Sequence, residues 1–139
     1  MDITTQAVVD TTAIHLKNAA GDYLNDADGK PCRIVIFGPG SKPYADLEGR
    51  QTNRAVKRMQ DNDGKIALPS PDQATQEKAE DLAAITVAFE NFDYPPAKGK
   101  AGAELFTAFY RDPKLGFIHQ QVLKTLKDWG AFAPGSETA

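Results

Sequence analysis

Six consecutive residues, Cys32-Arg33-Ile34-Val35-Ile36-Phe37, constrain the fold more than any other part of the chain. Most are β-branched or aromatic, and Gly and Pro punctuate both ends, which predicts a strand. Ile34 and Ile36 fall on one face and Val35 and Phe37 on the other, so the pattern predicts a strand covered on both sides. Upstream, Ile14 and Leu16 alternate with His15 and Lys17, the period of two expected of a half-buried strand. Turns are expected at Asn18 to Asp22 and at Asn25 to Gly29, with Tyr23-Leu24 extending the sheet briefly between them. A two-stranded ribbon is marginal in water, so residues 13–37 must pack on helices or pair with another chain.

The rest of the sequence reads as helices. Ser41 caps a helix to about Gln60, whose apolar positions Tyr44, Leu47, Ala55, Val56 and Met59 recur at three- and four-residue steps. Ser70-Pro71-Asp72-Gln73 has the capping-box spacing, with Pro at the first helical position, and opens a helix predicted to run to Asn91. Its buried stripe would be Leu82, Ile85, Thr86 and Phe89. A short helix over 101–110 carries Leu105, Phe106 and Phe109. Asp112-Pro113 opens the last, over 113–129, with Leu115, Ile118, Val122, Leu126 and Trp129 inward and Gly130 as its stop. The expected architecture is α+β: an N-terminal β-hairpin or small antiparallel sheet, then four helices (41–60, 71–91, 101–110 and 113–129) in a small bundle. Residues 1–12 read as a flexible arm, 13–132 as one domain and 133–139 as a flexible tail.

Charge and composition narrow the function. The 139 residues carry 16 basic and 19 acidic side chains, well mixed, with no Lys/Arg block to neutralise phosphates. Arg50, Arg54, Lys57 and Arg58 partly share a helix face and read as a solvated one. No nucleic-acid partner is expected. No secretory signal is visible and no apolar run approaches the roughly 20 residues of a membrane span, so the chain is expected in the cytoplasm, away from membranes.

Catalytic motifs fail on spacing. Gly38-Pro39-Gly40-Ser41-Lys42 follows a strand and opens a helix, but it is too short for a phosphate-binding loop and Pro39 removes a donor. In the acidic loop Asp22 to Gly29, a calcium loop would need carboxylates where Leu24 and Val35 stand. Cys32, the single cysteine, reads as a buried thiol, and His15 and His119 have no nucleophile elbow to serve. No enzyme activity, cofactor or metal is expected. The aromatic residues of the last third remain: Phe106, Phe109, Tyr110, Phe117, Trp129 and Phe132 are candidates for a protein-binding surface, if the short helices cannot hide them all.

Three stretches carry a resemblance when taken in order. They are Asp28-Gly29-Lys30-Pro31 leading into Arg33-Ile34-Val35-Ile36, the Gly38-Pro39-Gly40-Ser41-Lys42-Pro43-Tyr44 helix entry, and Tyr110-Arg111-Asp112-Pro113 through Trp129-Gly130-Ala131-Phe132-Ala133-Pro134. From about Ala13 to Phe132 the chain resembles the tail assembly chaperones and minor tail proteins of long-tailed bacteriophages and prophages. The resemblance implies a protein that binds the tape-measure protein in the host cytoplasm, helps recruit tail-tube protein, and is absent from the mature virion. It defines no catalytic or ligand residues. A structural tail or head-tail connector component is the alternative, with the β ribbon pairing to neighbouring subunits, and a homo-oligomer is compatible with either. A small enzyme or regulator with an unrecognised site is the third reading.

Overall fold

The structure, a computed structural model, describes residues 1–135. The fold is α+β. Three strands form an antiparallel sheet in the order β1 (Thr11–His15), β2 (Arg33–Phe37), β3 (Thr86–Glu90). The helices are α1 (Lys42–Asp61), α2 (Pro71–Ala84), α3 (Ala103–Arg111) and α4 (Gly116–Leu126). Thr12 lies opposite Ile36 and Ile14 opposite Ile34, so alternate residues of the two strands share the inner face. The hairpin continues past β1 through two isolated bridges, Lys17 to Tyr23 and Asn25 to Pro31. Both intervening turns close on a side chain: Asn18 Oδ1 accepts from the Ala20 and Asp22 amides, and Asp26 Oδ1 from those of Asp28 and Lys30.

The third strand is a correction. The helix expected over 71–91 stops at Ala84, and Thr86–Glu90 joins the sheet instead. The stripe Leu82, Ile85, Thr86, Phe89 satisfies a helical period, but Thr-Val-Ala-Phe-Glu suits a pleated surface, and β2 has an unsatisfied edge to offer. The Thr86 hydroxyl donates to the Leu82 carbonyl at 2.8 Å, closing the helix end where the strand begins. Val35 pairs with Ala88 and Ile36 with Thr86, so Val87 is the extra residue of a bulge and stands 42% exposed.

Three further expectations need adjusting. The N-terminal arm is shorter than residues 1–12: the Val9 amide donates to Phe132, Gly38 donates to the Asp10 carbonyl, and Thr12 is buried. The last helix ends at Leu126, not 129. Asp128 then caps a separate 3-10 turn, Trp129–Phe132, by accepting from the Gly130 amide. Val35 and Phe37, expected to be covered, are only half-buried. Of the expected tail, residues 136–139 lie outside the described residues.

The caps behave as the sequence predicts. Ser41 Oγ accepts from the Tyr44 amide while donating to the Gly38 carbonyl at 2.7 Å. Ser70 and Gln73 complete a reciprocal capping box. Leu16, Ile34, Ile36, Ile85, Phe109, Val122 and Phe132 are the largest fully buried side chains, and α4 packs against β1 and β2 over them. The Gly-Pro-Gly turn is shaped by this core. A Cβ on Gly38 would lie 2.4 Å from the Phe132 ring, and one on Gly40 2.8 Å from Val8.

α1 is held differently. Leu47 is its only buried residue, and Ala55, Val56 and Met59 of the expected stripe are exposed. Its second half docks through charge. Arg54 makes a two-pronged pair with Asp81 at 2.9 and 3.2 Å, Gln51 adds a bond to Asp81 at 3.0 Å, and Arg58 pairs with Glu77.

Candidate protein-binding site

The aromatic residues singled out in the sequence divide between core and surface. Phe109, Tyr110 and Phe132 are buried at 2%, 4% and 0% exposure and offer nothing to a partner in this conformation. Phe106 and Phe117 are half-buried, and Trp129 is 57% exposed. The fold brings Phe106, Phe109 and Tyr110 together on α3. Phe132 sits apart, against Gly38, and the Trp129 ring lies near Gly40.

Phe109 is the hub of the aromatic core. Its ring centroid lies 4.8 Å from Phe89, 5.5 Å from Tyr94, 5.2 Å from Tyr110 and 5.4 Å from His119, the last three edge-on. Polar ends of this cluster find partners. The Thr86 hydroxyl gives its hydrogen to Leu82, so at 2.7 Å it must accept from the Tyr110 hydroxyl. Burial raises Tyr110 well above the usual phenol range and keeps it a donor. His119 Nε2 lies 2.9 Å from the Phe109 carbonyl, which can only accept, so the imidazole carries its hydrogen on Nε2. Burial holds His119 below the usual imidazole range, with the charge of Lys78 adding to it and the Phe109 bond opposing it. Tyr94 donates to Asp112 at 2.9 Å, tying the loop after β3 to the start of the last helical segment.

Phe89 reaches both this core and the surface. It stacks on Phe92 at 4.7 Å and tilts against Phe106 at 4.8 Å. These three half-buried rings, with Val87 and Leu105, line a groove of about 680 Å³ between β3 and the start of α3. Its other wall is the segment from Tyr94 to Gly102, which turns at Gly99 and Gly102 with φ of +85° and +58°, values that glycine adopts without strain. Lys98, Lys100 and Asp93 also line the groove, and none is in an ion pair among the described residues. β3 is one of the two outer strands, with β2 on one side and no strand on the other among the described residues. An open groove beside a sheet edge can take an extended apolar segment, with main-chain bonds along β3 and side chains over the rings. Of the six candidate binding residues named from the sequence, only Phe106 lies in it. Phe89 reads in sequence as part of a helical stripe and Leu105 as a position of a short helix, and Val87 and the lysines carry no signal there.

The groups most suited to chemistry are otherwise engaged. Burial, and then the charge of Asp26, raise the Cys32 thiol, and it donates to the Asn91 carbonyl at 3.4 Å, which disfavours the nucleophilic thiolate. His15 Nε2 donates to the Leu24 carbonyl at 2.9 Å and its ring stacks on Tyr23. Among the described residues no three His, Cys, Asp or Glu side chains gather as a metal site, and no helix is long and apolar enough to cross a membrane. No protein-family model, curated protein or solved structure matches the chain.

Proposed function

We propose that the chain is a tail assembly chaperone of a long-tailed phage or prophage, acting in the host cytoplasm without catalysis. In this reading it holds apolar segments of the tape-measure protein in the β3–α3 groove and helps bring tail-tube protein to them. The observation that carries the reading is the groove itself: three half-buried aromatic rings exposed along the outer strand of a sheet. Such a surface offers dispersed contacts of moderate strength, which suits a factor that must release its client. The order of motifs along the sequence supports the choice of client. The test is co-expression with the tape-measure protein of the same tail operon. The chaperone reading predicts a larger soluble fraction of that protein with the chain than without it, and loss of the gain with Val87→Lys and Leu105→Lys together. An unchanged soluble fraction contradicts it.

The outer edge of β3 favours one other reading, a structural tail or head-tail connector component that pairs with a neighbouring subunit by strand addition. Purified virions separate the two. Absence of the chain supports the chaperone, and a fixed stoichiometric presence supports the component.

A further inference from the structure

Apart from Met1, the most exposed large apolar side chains among the described residues are Leu68 at 86% and Ile66 at 84%, both in the loop between α1 and α2. They stand two residues apart on a segment without helix or strand, clear of the body of the fold. The Asn62 side chain donates to the Lys65 and Ile66 carbonyls at 3.4 and 3.3 Å, where the chain leaves α1. Beyond that point the N–H and C=O of Ala67 and Leu68 are in no hydrogen bond among the described residues. Pro69 follows and biases Leu68 toward an extended conformation.

The register of the sheet says what such a segment fits. The Leu16 amide donates to the Cys32 carbonyl and the Phe37 amide to the Ile85 carbonyl, so even-numbered residues of β2 bond toward β1 and odd-numbered ones toward β3. Arg33 and Val35 therefore bond to Glu90 and Ala88, which leaves the Phe89 N–H and C=O turned to the open side of β3. Phe89 lies opposite the fully buried Ile34, so its ring is on the core face, in contact with Phe92 and Phe106. A residue added opposite Phe89 in the antiparallel sense exchanges two bonds with it and lays its side chain over these rings. Leu68 has both backbone groups free for this, and Ile66, two residues away, falls on the same face. Pro69 then turns its missing N–H away from β3. Charge agrees in sign. Asp61, Asp63 and Lys65 lead into the segment with one net negative charge, and Asp93, Lys98 and Lys100 line the groove with one net positive charge. None of the six is in an ion pair among the described residues.

We propose that, when no client is bound, the β3–α3 groove takes Ile66–Leu68 of a second copy of this chain as an added strand. The proposal rests on the groove of the reading above and not on the identity of its client. Each copy offers one segment and one groove, so association is head-to-tail, or closed where two copies exchange segments. A contact of three residues is smaller than a stable interface, so it forms at high protein concentration and yields to a client that fills more of the groove.

Sedimentation equilibrium over micromolar to millimolar protein tests this on the intact chain. The wild type is expected to self-associate. Ile66→Ser with Leu68→Ser removes the segment, and Val87→Lys with Leu105→Lys removes the groove; each pair should weaken self-association at least tenfold with an unchanged circular dichroism spectrum. Mixed in equal amounts, the two variants should form a heterodimer and nothing larger, because one keeps only the groove and the other only the segment. Ile66 and Leu68 are exposed, so the segment variant keeps its fold and decides the question even if the groove variant does not. A wild type that is monomeric throughout, a segment variant that associates as the wild type does, or a mixture of folded variants that stays monomeric would overturn the proposal. Co-expression with the tape-measure protein separates this outcome from the chaperone reading, since the segment variant keeps the groove and on that reading still raises the client's soluble fraction.

Discussion

At the scale of single residues, the structure assigns roles that differ from the obvious ones. Gly38 and Gly40 resemble a phosphate-binding turn in sequence, yet they are glycines because Phe132 and Val8 occupy the space a Cβ would need. Phe132 is fully buried and cannot yield, so Gly38→Ala should lower stability by about 1–3 kcal/mol, measured by urea unfolding. Gly49 is the opposite case. It lies on an exposed helix turn, and a Cβ added there would meet nothing within 4 Å. Gly49→Ala should therefore raise the stability of the monomer by about 0.5–1 kcal/mol. His119 gives the chain a pH dependence. Its pKa is lowered in the folded state, so below about 6.5 the unfolded chain binds a proton that the folded chain does not. Its share of stability is fully present above that pH and is lost as pH falls toward the folded value. His119→Gln should flatten the fall of the unfolding midpoint as pH drops below about 6.5; an unchanged slope would show that another group titrates there.

At the scale of elements, what was legible and what was not follow from physics. Ser41, Ser70 and Gln73 announce helix starts because a cap is settled within four residues, and β2 is legible because its β-branched run allows little else. β3 was hidden because Leu82, Ile85, Thr86 and Phe89 fit a helix equally well. Only the empty edge of β2, some fifty residues earlier in the chain, decides against it. Trp129 keeps the helical spacing of Val122 and Leu126, but the chain leaves the helix after Leu126, so the ring faces solvent. Sequence periodicity also implies a buried stripe on α1, whereas its second half is fastened by Arg54 and Arg58. Removing Asp81 should therefore detach that half. Asp81→Ala is expected to cost about 1–2 kcal/mol, and Arg54→Leu with Asp81→Leu less, because no charge is then left unpartnered. Thermal melts of the two variants provide the comparison, with faster amide exchange in residues 50–61 expected for Asp81→Ala.

At the scale of the whole molecule, most aromatic side chains close the core and a few remain at its edge. Phe109 gathers rings from β3, α3, α4 and the intervening loop, and the same network leaves Phe89, Phe92 and Phe106 half-open along the outer strand. The sequence indicated that the last third was rich in aromatics, but which of them face outward depends on β3, the element it concealed. The central claim is that this groove receives the client, and site-specific photo-crosslinking tests it most directly. A photoreactive residue would replace Val87 or Leu105 in the groove, or Gln120 on the exposed side of α4 as the control, in cells that also make the tape-measure protein. Crosslinks to the tape-measure protein are predicted from positions 87 and 105 and none from 120. Crosslinks from 120 alone, or from no position, would contradict the claim.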